Sequence, residues 1–212
     1  NKLMNYRLLC IVYARNLGQM NNAADRLIQA ADKGLTILED YDDDSVKAEY
    51  YTIYNQYLAL AYERLGEDYE DSDAGRSKEY YEKALECCDF ILGMVSIDED
   101  STVENITDAK LREAKYCQKA EIYEALGDYE QAEQIYEQAE EEFGTTSIAL
   151  YAGHLSLECE IQEQSTTDVE QWDYQRLHSL FEAGNQVPGI ENDYRWKQLK
   201  QKLSPLFGKN GG

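Results

Sequence analysis

The 212 residues hold 42 Asp and Glu against 20 Lys and Arg, a net charge of −22, with 43% hydrophobic residues and only two prolines. Such an acidic excess argues against a nucleic-acid backbone or an anionic lipid face as partner, because phosphate recognition needs a basic surface. It leaves a basic protein or peptide segment as the ligand that the field would steer, or serves solubility alone.

No run of 18 or more apolar residues occurs, so no membrane span is expected, and the first residues do not read as a secretory leader. Asn1 in place of methionine reads as the start of an excised domain. The five cysteines, Cys10, Cys87, Cys88, Cys117 and Cys159, show no CxxC spacing and read as thiols rather than a disulfide or zinc framework. Thiols suit a reducing compartment. The cytoplasm is therefore favoured, and an extracytoplasmic location follows only if a membrane segment precedes Asn1.

In chain order, residues from about Lys2 to Asn16 predict a first helix with Leu3, Tyr6, Leu9, Cys10 and Tyr13 on its apolar stripe. Leu17-Gly18-Gln19 is its turn, and a second helix runs from about Asn21 to Glu39. Asp40 to Asp44 is an acidic linker, after which Asp44 or Ser45 caps a helix to Leu65-Gly66. An insertion at about 67–72 precedes its partner helix, which carries Tyr80, Tyr81, Ala84 and Leu85 and extends to about Val95. A loop from Ser96 to Asn105 then leads to a helix at about Ile106.

The next hairpin covers Glu113 to Thr146, broken at Leu126-Gly127-Asp128-Tyr129. Gly127 can end a helix in the left-handed conformation, and Asp128 is a good cap for the following one. Ala120, Ala132 and Ala139 let two helix backbones approach, with tyrosines filling the remaining volume. A fourth hairpin has Ile148, Leu150, Leu157 and Ile161 on its first helix, a polar insertion at 162–171, and a second helix with Tyr174, Leu177, Phe181 and Ala183. A last helix from about Glu191 to Leu203 reads as a cap with a basic wet face, followed by a flexible tail from 207 to 212.

The central hairpin resembles one tetratricopeptide repeat of about 34 residues. Tyr116, Ala120, Tyr123, Gly127, Asp128, Ala132, Tyr136 and Ala139 take the repeat's aromatic, small and turn positions, while Lys119 and Gly144 depart from its usual leucine and proline. The resemblance implies an all-α fold: one α-solenoid domain over 1–206, with hairpins at about 2–39, 45–95, 106–143 and 146–186, a cap at 191–204, and a right-handed superhelix. The segments Ser77–Ala84 and Leu155–Gln162 are, more narrowly, similar to a repeat region found C-terminal to Ser/Thr protein kinases of Firmicute-type bacteria. That likeness implies a regulatory or docking part of a larger enzyme. The kinase motifs themselves (a glycine-rich loop, HRD, DFG) do not occur in this sequence.

Catalytic chemistry finds little support. The two histidines, His154 and His178, read as packing or surface residues, and carboxylates are too numerous for any pair to be informative. Asp40-x-Asp42-x-Asp44 opens like a calcium loop, but Ser45 replaces the required glycine and Tyr51 the bidentate glutamate. That run and Asp98-Glu99-Asp100 read as solvated linkers. No catalytic residue, cofactor or metal ligand is expected.

In the tetratricopeptide family the first helices of successive hairpins line a concave peptide groove. The register places Gln56, Leu60 and Arg64, then Cys117, Glu121 and Glu124, then Tyr151, Leu155 and Cys159 on that surface. The family's carboxylate clamp of lysines and asparagine is absent, so an extended or helical segment carrying Lys or Arg is the expected ligand. The expectation is a non-catalytic protein-interaction module; the alternative is a structural or self-assembly element without a peptide ligand.

Overall fold

The computed structural model describes the backbone of residues 2–95 and 103–210, with the side chains of 103–107, 145, 209 and 210 left aside. Among the described residues the protein is all-α. Two compact units divide it, Asn1–Lys115 and Tyr116–Gly212. The first contains α1 (Lys2–Arg15), α2 (Ala23–Glu39), α3 (Asp44–Tyr69), α4 (Ala74–Met94) and the opening turns of α5 (Val103–Ala125). The second contains the rest of α5, then α6 (Tyr129–Phe143), α7 (Ile148–Ser165), α8 (Tyr174–Gly184) and α9 (Tyr194–Asn210).

In the first unit the cap of α3 is Asp43, one residue earlier than the sequence predicts. Its carboxylate accepts from the amides of Ser45 and Val46 at 3.0 and 3.1 Å, satisfying two donors that the helix start leaves unpaired. Nor does α3 stop at Leu65-Gly66. It runs to Tyr69, which shrinks the expected insertion at 67–72 to a short turn before Ala74. Gly66 is a point of close approach rather than a terminator: a Cβ there would lie 2.7 Å from the Tyr81 ring. The carbonyl of Gly66 accepts from Ser77 Oγ at 2.9 Å, stitching α3 to α4. Gly34 on α2 admits the Tyr54 ring in the same way, and the Tyr54 hydroxyl donates to the carbonyl of Leu3 at 2.8 Å.

Leu9, expected inside, is exposed on α1. That helix is apolar on nearly every face, so periodicity alone could not orient it. Of the expected loop at 96–105, residues 96–102, and with them Asp98-Glu99-Asp100, lie outside the described residues; Glu104 and Asn105 are already helical.

The second unit opens as the sequence predicts. Gly127 adopts φ +74 after α5, and Asp128 accepts from the amide of Gln131 at 3.3 Å to cap α6. Ala120, Ala132, Ala139 and Tyr136 are buried together with Leu150 and Leu157 of α7. The other side of α7 is covered too: Tyr151, Leu155 and Cys159 share a core with Trp172, Leu177, Phe181 and Trp196. Trp196 stacks on Phe181 with centroids 5.4 Å apart, in space left by the missing side chain of Gly184.

Two boundaries move. The expected insertion at 162–171 is helical to Ser165 and closes with a 3-10 turn at Val169–Gln171. The last helix begins at Tyr194 and passes through Pro205 to Asn210. Residue 207, expected to open a flexible tail, is packed: Phe207 meets the His178 ring edge-on at 5.0 Å and the Phe181 ring at 5.4 Å. Leu206 and Phe207 continue the apolar face of α9, which outweighs the amide donor that Pro205 cannot supply.

Candidate functional site

Gln56, Leu60 and Arg64 stand four residues apart on α3 and therefore share one face. Gln56 is half-buried, and Leu60 is 40% exposed. The Arg64 guanidinium is held by Glu67 at 3.2 Å and Asp68 at 2.6 Å, so it is oriented and its charge locally neutralised. It closes one side of a cavity of about 590 Å³ between the α1–α2 loop and the end of α3. Met20, Asn22, Asp25, Leu65, Asp68 and Tyr69 contribute to the lining. Asn22 sits at φ +60 and leaves its side chain out of the α2 cap, so its amide group does not serve the helix start.

Tyr69, on the cavity wall, begins an aromatic ladder. It stacks on Tyr80 at 5.7 Å, and Tyr80 on Tyr62 at 6.3 Å. Arg76 lies over Tyr69 at 4.8 Å, and the Lys83 ammonium lies 5.4 Å from the Tyr80 centroid. Burial pushes the Tyr62 hydroxyl above its ordinary pKa. The wall is thus stacked and already carries its cations. The lining includes the apolar Met20 and Leu65, the side-chain amides of Gln19, Asn21 and Asn22, and the exposed Asp25.

No family model, no curated protein and no solved structure matches this chain.

The other sequence-predicted groove residues belong to the second unit and fall into two groups. On α5, Cys117 is half-buried and Glu121 is exposed, 3.6 Å from Arg195 of α9. Glu124 is half-buried, and its carboxyl is pushed up to about 7, first by burial and then by its hydrogen bond to the Glu160 carboxyl. Glu160 also accepts from the Tyr129 hydroxyl at 2.8 Å and from Gln164 at 3.1 Å. On α7, Tyr151, Leu155 and Cys159 are buried and line no groove. The register that would expose them assumes one free face, and α7 has none, being packed by α6 on one side and by α8 and α9 on the other.

Elsewhere polar groups tie helices to one another. The Arg176 guanidinium of α8 donates to Glu158 at 2.8 Å and pairs with Glu133 and, at 3.5 Å, Glu137, tying α6, α7 and α8 together. His154 is buried, with Nδ1 2.7 Å from Glu140 Oε1 and its ring stacked on Tyr136 at 5.4 Å. Burial raises the Cys10 thiol to about 12 and the Cys87 and Cys159 thiols to about 11, so these remain protonated at neutral pH and are poor nucleophiles. Among the described residues, no group of three or more His, Cys, Asp or Glu could hold a metal ion, and no helix is long and apolar enough to cross a membrane.

The sequence reading missed the loop that builds the cavity and the exposed row on α1. Met4, Leu8 and Val12 form a second apolar stripe beside Leu3 and Cys10, and a helix with two stripes is the signal that was present.

Proposed function

We propose that this chain is a non-catalytic protein-interaction module, an α-solenoid of about four tetratricopeptide-like hairpins with a C-terminal cap. In this reading its ligand is a protein segment carrying Lys or Arg, taken along the face of α3. The observation that supports it is Leu60, exposed on α3 one turn before Arg64, which lines a cavity together with Asp25. An apolar side chain of the ligand would rest on Leu60, and a cationic one would reach Asp25 under the field of a chain at −22.

Panning a random peptide library on the protein tests this. A consensus pairing a basic with an apolar residue is expected, weakened about tenfold or more by Leu60→Glu, the loss of a central apolar contact. Failure to enrich any peptide, or enrichment indifferent to Leu60→Glu, overturns the reading.

The likeness of Ser77–Ala84 and Leu155–Gln162 to a repeat region C-terminal to bacterial Ser/Thr kinases supports a regulatory role for an attached kinase. Sequencing the coding region upstream of Asn1 decides that part. Kinase motifs there would support it, and a start codon alone would contradict it.

A further inference from the structure

Two helix faces of the first unit are apolar, exposed and of opposite charge. On α1, Leu8 and Val12 are each 51% exposed, with Met4 one turn before them, so the three form a row at every fourth position. Arg7 and Arg15 flank the row, and no Asp or Glu occurs before Asp25 in a chain of net charge −22. On α4, Phe90 is 38% and Met94 47% exposed, again four residues apart. Gly93 lies beside them with open space where a side chain would stand, which leaves that surface flat. Glu86 continues this face toward the helix start, Glu82 and Asp89 adjoin it, and Lys83, seven residues before Phe90, is paired with Glu79 at 2.6 Å, so the face stays acidic.

From this complementarity we infer that the protein associates head to tail with a second copy of itself, α1 of one molecule packing on α4 of the next. The apolar rows meet along their length: Leu8 and Val12 lie against Phe90, Gly93 and Met94, while Arg7 and Arg15 approach Glu86 and Asp89. Packing α1 on a second α1 would bring arginines together, and α4 on α4 would bring carboxylates together, so the heterologous arrangement is the favoured one. Each molecule then keeps one open face at either end, and assembly continues as an open chain rather than closing at a dimer. The surfaces are small, so the association is weak and salt-sensitive. This interface is separate from the Leu60 face and stands or falls without it.

Sedimentation velocity across about 10–500 µM, the range a weak contact of this size calls for, tests the proposal. The weight-average mass should climb past that of a dimer and fall back as salt is raised. Leu8→Glu with Val12→Glu, or Met94→Glu alone, should return the monomer, with circular dichroism unchanged because these positions are on the surface. Mixing the α1 variant with the α4 variant is the sharper measurement. Each retains one intact face, so the mixture should stop at a one-to-one dimer. A monomer at every concentration, a wild-type plateau at the dimer, or association that survives both variants would overturn the inference.

Discussion

In the first unit Tyr54 fits over Gly34 and gives its hydroxyl proton to the carbonyl of Leu3. In the second, Tyr136 fits over Gly153 by the same means, but its hydroxyl meets no hydrogen-bond partner, nor does Nε2 of the His154 ring stacked on it. The units also differ in how they treat charge. The first joins α3 to α4 with Ser77 on a backbone carbonyl and with a tyrosine ladder. The second joins α6, α7 and α8 through one arginine and three carboxylates, and rests Glu124 against Glu160. Aromatic-on-glycine packing is thus common to both cores, while the second adds a load of half-buried carboxyl groups. Its stability should depend on pH through Glu124 and on single charges through Arg176.

The largest test of the shared device removes the aromatic. Tyr54→Ala in the first unit and Trp196→Ala in the second should each cost about 3–5 kcal/mol in denaturant unfolding, because both side chains are fully buried. A much smaller loss in either would mean that the glycine cleft closes without its ring.

Next comes charge. Arg176→Met should destabilise the second unit by about 1–3 kcal/mol, since Glu158 is buried and loses its cation; the partial exposure of Arg176 holds the figure below that of a fully buried pair. Amide hydrogen exchange resolves the units, and faster exchange should be confined to α6–α8. Uniform acceleration in both units would erase the distinction.

The tyrosine hydroxyls sharpen the comparison further. Tyr54→Phe removes a buried hydrogen bond and should cost about 1 kcal/mol, whereas Tyr136→Phe removes an unpaired buried hydroxyl and should be neutral or stabilising. Equal losses at the two positions would show that Tyr136 is satisfied after all.

The pH dependence follows from Glu124. Its folded pKa of about 7 lies above the ordinary value near 4.3, so folding prefers its protonated form. The stabilisation from this group is complete below about pH 4.3 and is lost as pH rises through 7. Glu160 and Glu121 raise the value and Arg195 lowers it, with burial the first cause. The opening free energy of the second unit, taken from exchange rates divided by the intrinsic base-catalysed rate, should therefore fall between pH 5 and 8, and Glu124→Gln should flatten that profile. A flat profile in the parent would contradict the assignment.

Much of this fold was legible in the sequence, and the exceptions share a cause. Gly127 and Asp128 acted as predicted because a positive φ and an amide-accepting carboxylate are local requirements. Gly66 did not, because glycine in a helix can equally mark a neighbour's ring, and Tyr81 is 15 positions away in sequence. On α3 the shared face of Gln56, Leu60 and Arg64 was legible, because residues four apart on a helix must stand together. On α7 the expected exposure of Tyr151, Leu155 and Cys159 was not, because Leu150 to Cys159 are almost all buried between α6 and α8–α9. A helix packed from both sides has no preferred face to read.

The smallest expected effect on stability belongs to the residue with the most at stake. Leu60→Glu should shift unfolding by no more than about 0.5 kcal/mol, as an exposed substitution on a regular helix should. If it unfolds the first unit, loss of peptide binding in that variant says nothing about a binding face.

The most direct measurement is therefore made on the unaltered protein: amide chemical-shift mapping by two-dimensional NMR, with the peptide selected by panning titrated in. Shifts are expected to cluster at Gln56, Leu60 and Arg64 and along the cavity loop from Leu17 to Asp25. Shifts centred on the second unit, or scattered over the acidic surface without saturation, would contradict it.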